Sequence, residues 1–390
     1  MTSLFPGALR PQAFSRSLPS TIFSVDGIPD DPFLERGSNR HAGVDALLHL
    51  MGRNNLKFYR SWIPGTLSGP FGLIAPEDVI LIKVNAQWKY RGATNSDVVR
   101  GIIQRILDHP QGFRGEIVVI ENGQGRGSLA CDTSSYYSDA AVHANALDES
   151  HSFEYVVKSI FKDPRVSTFL FDPVRGRFIG ADDHATNGYR TLENVSYPCF
   201  TTAGGRRVEL KEGLWNGSGH DSGLKLINVP VLKTHGGSEF TGAMKHFYGV
   251  LSMSDGGINF RHYSGLGETV GKMAVLVRPP VLNIMDAVWV SHKALEGTPA
   301  SSTFKASRLA ASQDPLALDY WAAKNILYPI DRNSSHHPDN AVIQEWMGAA
   351  ETVINDRGGL FRRPGSLFGS IVTKDEGRML VLGASARKSG

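Results

Sequence analysis

Cysteine is scarce. The chain has two in 390 residues, Cys131 and Cys199, which cannot supply the four thiolates of an iron–sulfur cluster or a four-cysteine zinc site. No intrinsic iron–sulfur cluster is expected, and the wide separation of the pair predicts free thiols rather than a disulfide. Long apolar runs are missing too, none reaching the ~20 residues of a membrane helix. The stretch Met1–Ser24 carries Arg10 and Arg16 but no uninterrupted apolar core of a signal peptide. These absences predict a soluble, cytoplasmic protein with no membrane partner. Charge of one sign is lacking as well. Lys plus Arg number 41 and Asp plus Glu 38, a surplus of +3 that gives no ground for a nucleic-acid partner. Internal repeats and low-complexity tracts are absent.

What is present is an ordinary globular composition, 41% hydrophobic and 20% charged, with 42 glycines concentrated in loops that also hold polar residues. The expected fold class is α/β, a mostly parallel sheet flanked by helices with irregular glycine-rich insertions. Residues 1–75 read as an N-terminal arm and a helix, 76–330 as the α/β core, and 331–390 as a C-terminal helix and tail. Val44, Leu47, Leu48 and Met51 share one face of a helix beginning near His41, with Asn39 or a neighbour as cap. Val79-Ile80-Leu81-Ile82 is apolar on both faces, as in buried parallel strands. A helix capped by Asn95 or Ser96 carries Val98, Val99, Ile102, Ile103, Ile106 and Leu107 inward, and Glu116–Ile120 is a second buried strand. Strand, helix and strand in this order form a βαβ unit with parallel strands. The segment 172–223 is long and irregular, an insertion that reads as a cleft wall, a lid or a dimer arm. A homo-oligomer is therefore an open expectation. Val281–Met285 is a further strand, and Asp314 caps a helix from Leu316 to about Leu327.

The stretch 226–250 organises the rest. An apolar run from Leu226 ends in Lys233-Thr234-His235, two glycines follow, and a helix-like segment carries Lys245. In open α/β sheets ligands bind where strand ends meet helix starts. Four apolar strands end on polar residues: Lys83 and Asn85, Glu121 and Asn122, Lys233 and His235, and Asp286. Singly, each reads as a turn former or cap; together on one rim they indicate a shared site. An imidazole titrates near neutral pH, so His235 is a candidate for acid/base work. Lys233, Lys245 and Arg91 are candidate anion clamps, and the first amides of the helix after His235 offer an anion a positive pole. The loop of Gly123, Gly125 and Arg126 could let backbone amides approach a phosphate, but it lacks the dinucleotide fingerprint. His262 and Asp286 are the candidate metal ligands. His336-His337 reads as a solvated loop pair.

Val79–Asn85, the Thr94-Asn95 helix start, Asn228–His235, Thr241-Gly242-Ala243-Met244-Lys245, Leu282–Asp286 and Asp314–Asp319 together resemble the domain-of-unknown-function family 362. Many members carry a ferredoxin-type cluster module, which implies a redox accessory role beside an iron–sulfur partner as one reading. Thr241 enters the candidate cofactor site through this motif. A fainter resemblance reaches the N-terminal domain of lactate racemase-like enzymes. It implies a nickel-pincer-type nucleotide or divalent metal as cofactor, with His235 as acid/base, Lys245 as the anchoring lysine and His262 as metal ligand. That family's second catalytic histidine falls on Gly-Gln-Gly-Arg here, so a one-base lyase or isomerase fits better than a two-base racemase. The expectation is an enzyme acting on a small anionic molecule; a non-catalytic module binding an anion or partner stands beside it.

Overall fold

The computed structural model describes residues 19–133, 137, 139–171, 174, 176–252, 264–357 and 372–386. In chain order the elements that build the fold are β1 (Ser20–Asp26), α1 (Ala42–Arg53), β2 (Val79–Lys83), α2 (Ser96–Leu107), β3 (Glu116–Glu121) and β4 (Val166–Leu170). A small sheet follows: β5 (Gly188–Leu192), β6 (Val195–Thr201), β7 (Arg207–Glu209), β8 (Gly213–Trp215) and β9 (His220–Asp221). Then come β10 (Leu224–Asn228), β11 (Val231–His235), β12 (Glu239–Thr241), α3 (Ala243–His246), α4 (Leu266–Lys272), β13 (Leu282–Ser291) and β14 (Thr303–Ser312). α5 (Pro315–Ala322), α6 (Ala341–Asp356) and β15 (Met379–Ser385) complete the series.

The main sheet has ten strands. Its principal path runs β15-β1-β14-β13-β10-β2-β3-β4, and the hairpin β11–β12 joins it through β13. β13, β10, β2, β3 and β4 are mutually parallel. β14 is antiparallel to β13 and to β1, while β15 runs parallel to β1. The class is α/β. Side-chain alternation sorts each parallel strand between two cores. Val79, Leu81, Val118 and Ile120 face α4, α5, α6 and the small sheet, whereas Ile80, Ile82, Ile117 and Val119 face α1 and α2. The chain grows outward from β2 through β3 and β4 on one side, and from β10 to β13 on the other. The winding direction therefore switches between β2 and β10, whose ends pair Lys83 with Asn228. A crevice forms beyond the carboxyl ends of strands at such a switch.

Several sequence expectations change here. The arm contains β1, an interior strand of the sheet, and the tail contains β15. The run 226–235 is two strands rather than one: Val229-Pro230 separates β10 from β11, since Pro230 has no N–H to give a ladder. His235 leads into a hairpin, Gly236-Gly237 turning the chain back along β12, and the helix begins only at Ala243. β13 does not stop at Asp286 but continues to Ser291. His41, not Asn39, caps α1, its Nδ1 accepting from the amides of Gly43 and Val44. The insertion 172–223 is largely the five-stranded antiparallel sheet β5–β9. Cys131 and Cys199 are buried free thiols.

Candidate functional site

The ends of β2, β3 and β11 meet at one cleft. Lys83, Asn85, Arg126, Lys233, His235, Thr241 and Lys245 line it, together with Glu121. Trp88, Gln124, His246 and Tyr248 also line it, and none of the four is among the expected site residues. His246 had one available signal, its place directly after Lys245 opposite a strand ending in lysine.

The floor is a saturated polar network. Asn228 donates from Nδ2 to the Ala243 carbonyl and to Asn283 Oδ1, which leaves its own Oδ1 to accept from His246 Nδ1 at 2.7 Å. His246 Nε2 must then be the acceptor for Lys83 Nζ at 3.0 Å. Lys83 also donates to the Val84 carbonyl and pairs with Glu121 Oε1, each at 2.7 Å. Glu121 in turn accepts the amides of Ala86 and Asn122. Every proton of the Lys83 ammonium has a partner, which is what a buried ion requires. Burial lowers the Lys83 pKa and raises that of Glu121, each against the pull of the other's charge. Burial first, then the Lys83 charge, drives the His246 pKa well below its ordinary value, so this ring is neutral. Both its nitrogens are engaged; it supports the site rather than moving protons.

The wall carries the reactive groups. Lys233 Nζ donates to the Gly92 carbonyl and to Asn85 Oδ1 and lies 5.6 Å from the Trp88 ring centre. Burial, then the Lys245 charge, holds its pKa well below the usual lysine value. Lys245 is lowered to about 7 by burial and then by Arg126. Its Nζ lies 3.4 Å from His235 Nε2 and 5.3 Å from the Tyr248 ring centre. His235 Nδ1 is hydrogen-bonded to the Gly236 carbonyl. That bond assigns the proton to Nδ1 and turns the lone pair of Nε2 toward Lys245. Gln124 Nε2 is buried with no hydrogen-bond partner among the described residues, an orphan donor at the cleft.

Other expected site residues lie elsewhere. Arg91 stacks on Trp289, 3.3 Å from the ring centre, and does not line the cleft. Gly123 and Gly125 flank Gln124, but the amides of Gln124, Arg126 and Gly127 are spent on acceptors within the loop. Those three amides are therefore not offered to a phosphate. The helix pole expected after His235 is also taken: Asp319 on α5 accepts the amides of Ala243 and Met244. Asp286 is fully buried, and its oxygens accept the amides of Asn95 and Val288, so it does not reach the cleft. His262 lies outside the described residues. His336 is buried, not solvated, with Nε2 2.9 Å from Thr234 Oγ1.

This donor set does not fit a metal ion. Among the described residues, three lysines and an arginine line the cleft against one carboxylate, Glu121, which is already committed to Lys83 and two amides. Such a surplus repels a cation and attracts an anion.

The fold and cleft define an α/β protein with a cationic crevice at the switch point of a parallel sheet. Residues 224–324 match the family model described as "Domain of unknown function (DUF362)". The matched segment holds the Lys-Thr-His, Lys245 and Asp319 but not Lys83, Glu121 or Arg126. No curated protein and no solved structure matches the chain, and the likeness to lactate racemase-like enzymes has no match behind it.

Proposed function

We propose that this cleft binds a small organic anion and that the protein is an enzyme moving a proton on it by one-base chemistry of the lyase or isomerase type. The observation that carries the reading is the pair Lys245–His235, a buried amine with a pKa of about 7 held 3.4 Å from an imidazole nitrogen. At neutral pH the Lys245 amine can either give or take a proton. Lys245 and Arg126 neutralise the anion, Gln124 donates to it, and His235 Nε2 takes a proton from the carbon beside the charged group. The walls of Trp88 and Tyr248 exclude water from one side. No metal is needed for binding in this scheme. Among the described residues no helix is long and apolar enough to cross a membrane, and a cytoplasmic setting belongs to the same proposal.

The test is a panel of small carboxylates and phosphate esters screened by thermal stabilisation, followed by exchange of substrate C–H into deuterated water, monitored by NMR. An anion at 100 times its Kd adds about 2.7 kcal/mol to folding stability. Lys245→Met and Arg126→Ala should lose the stabilisation, whereas His235→Ala should keep it and lose the exchange. Stabilisation without exchange in the wild type would make the protein a binding module. Equal stabilisation of wild type, Lys245→Met and Arg126→Ala would remove the cleft from consideration.

A further inference from the structure

The small sheet β5–β9 holds a second cluster, separate from the cleft. Glu209 on β7 is completely buried, yet two imidazoles and a guanidinium converge on its carboxylate. His184 Nδ1 lies 2.6 Å from Oε1, and His220 Nε2 lies 3.1 Å from Oε2, where Arg190 also binds. The His220 nitrogen is buried and out of line for a hydrogen bond, so it has no such partner among the described residues. One ligand atom from each of His184, Glu209 and His220 lies within 4.8 Å of the others. Ligands around a tetrahedral zinc with bonds of 2.0–2.1 Å sit about 3.3 Å apart, so small side-chain adjustments would seat one.

We infer that His184, Glu209 and His220 form a zinc site that staples the small sheet. The ligand set, two imidazoles and one carboxylate, is a known zinc combination that leaves a fourth position for water. Preorganisation supports it. The His184 ring stacks on Trp215 at 3.7 Å and 4°, fixing its plane. His220 is carried by the edge strand β9, paired with Trp215 on β8. Gly213 pairs with Glu209 across the ladder and presents no side chain there. Arg190 stays on Oε2 as the outer partner that orients a ligating carboxylate, which leaves Oε1 for the ion. The monodentate carboxylate and the Trp215 wall favour four-coordinate zinc over a six-coordinate iron with three open positions.

The experiment uses the full chain, stripped with chelator and titrated with zinc against a chromophoric competitor. One zinc per chain is expected, with a rise of a few degrees in Tm at saturation. Glu209→Gln and His220→Asn should each weaken binding by about 100-fold or more, at or beyond the upper end of what loss of an outer partner costs. Zinc-edge absorption on the wild type reads the ligands without any substitution, so misfolding of a variant does not obscure the answer. Two imidazoles and one carboxylate at about 2.0–2.1 Å support the site. Substoichiometric zinc, or a shell without histidine, overturns it and leaves the cluster as an ion-pair web around Glu209. Lys245→Met should keep its zinc whatever becomes of the cleft proposal.

Discussion

Lys245 links folding to pH through its own burial. An unfolded lysine titrates at 10.5, whereas burial and the Arg126 charge bring the folded group to about 7. Between these values the unfolded chain binds more protons than the folded one, so this group's contribution to stability rises with pH from about 7 upward. Below 7 both states are protonated and the full penalty of burying the charge remains. Lys245→Met should therefore raise the unfolding free energy at pH 6, with the gain shrinking toward pH 10, as followed by urea denaturation at several pH values. The same titration governs the cleft in the opposite sense. Anion affinity should fall as pH rises through 7, with the falling limb displaced upward by the bound anion itself. A pH-independent Kd between 6 and 9 would mean that another cation, such as Arg126, holds the ligand.

At the scale of elements, the join between β12 and α3 decides whether Lys245 points into the cleft. Thr241 ends β12, and a Cβ on Gly242 would stand 2.3 Å from Asp319 Oδ1. Asp319 cannot retreat without dropping the amides of Ala243 and Met244. Gly242→Ala should therefore cost about 1–3 kcal/mol as an overpacked buried site, measured by urea unfolding, and should displace Lys245 enough to weaken anion binding. A loss below ~0.5 kcal/mol, the scale of an ordinary surface change, would show that the cap yields freely. Sequence pattern reveals the parallel strands well, because β2 and β3 are short runs apolar on both faces and bounded by charged residues. It also reveals that their polar ends form one rim. Long-range satisfaction leaves no local mark: nothing around Asp319 announces that it caps another helix, and nothing around His336 announces that Thr234 will bury it. β14 escapes notice because its first half is partly exposed and breaks the apolar alternation. Asp286 misleads for the opposite reason, being a charged residue inside a strand whose partners are backbone amides.

The whole molecule is closed by one carboxylate. Asp314 caps α5 with Oδ1, accepting the amides of Leu316 and Ala317. Its other oxygen accepts the Ser20 hydroxyl at the start of β1 and the Thr373 amide ahead of β15. The partners lie 294 and 59 residues away in sequence, so both termini of the described fold meet on a single side chain. β1 is seated between β14 and β15, and among the described residues the hydrogen-bonded path from these three strands to the parallel core runs through β14 and β13. Loss of a helix cap alone costs roughly 0.5–2 kcal/mol, and each buried donor left without its acceptor adds about 1–3 kcal/mol. Asp314→Ala should accordingly destabilise the protein by about 3 kcal/mol or more, beyond any simple cap. Asp314→Asn, which keeps an acceptor oxygen on α5, should lose less. Amide hydrogen exchange separates the two effects: in Asp314→Ala, protection should fall first across Ser20–Asp26 and Met379–Ser385, while Val79–Lys83 and Glu116–Glu121 keep theirs. A uniform loss of protection, or a cost of only ~1 kcal/mol, would reduce Asp314 to an ordinary cap and leave the closure of the sheet to strand pairing alone.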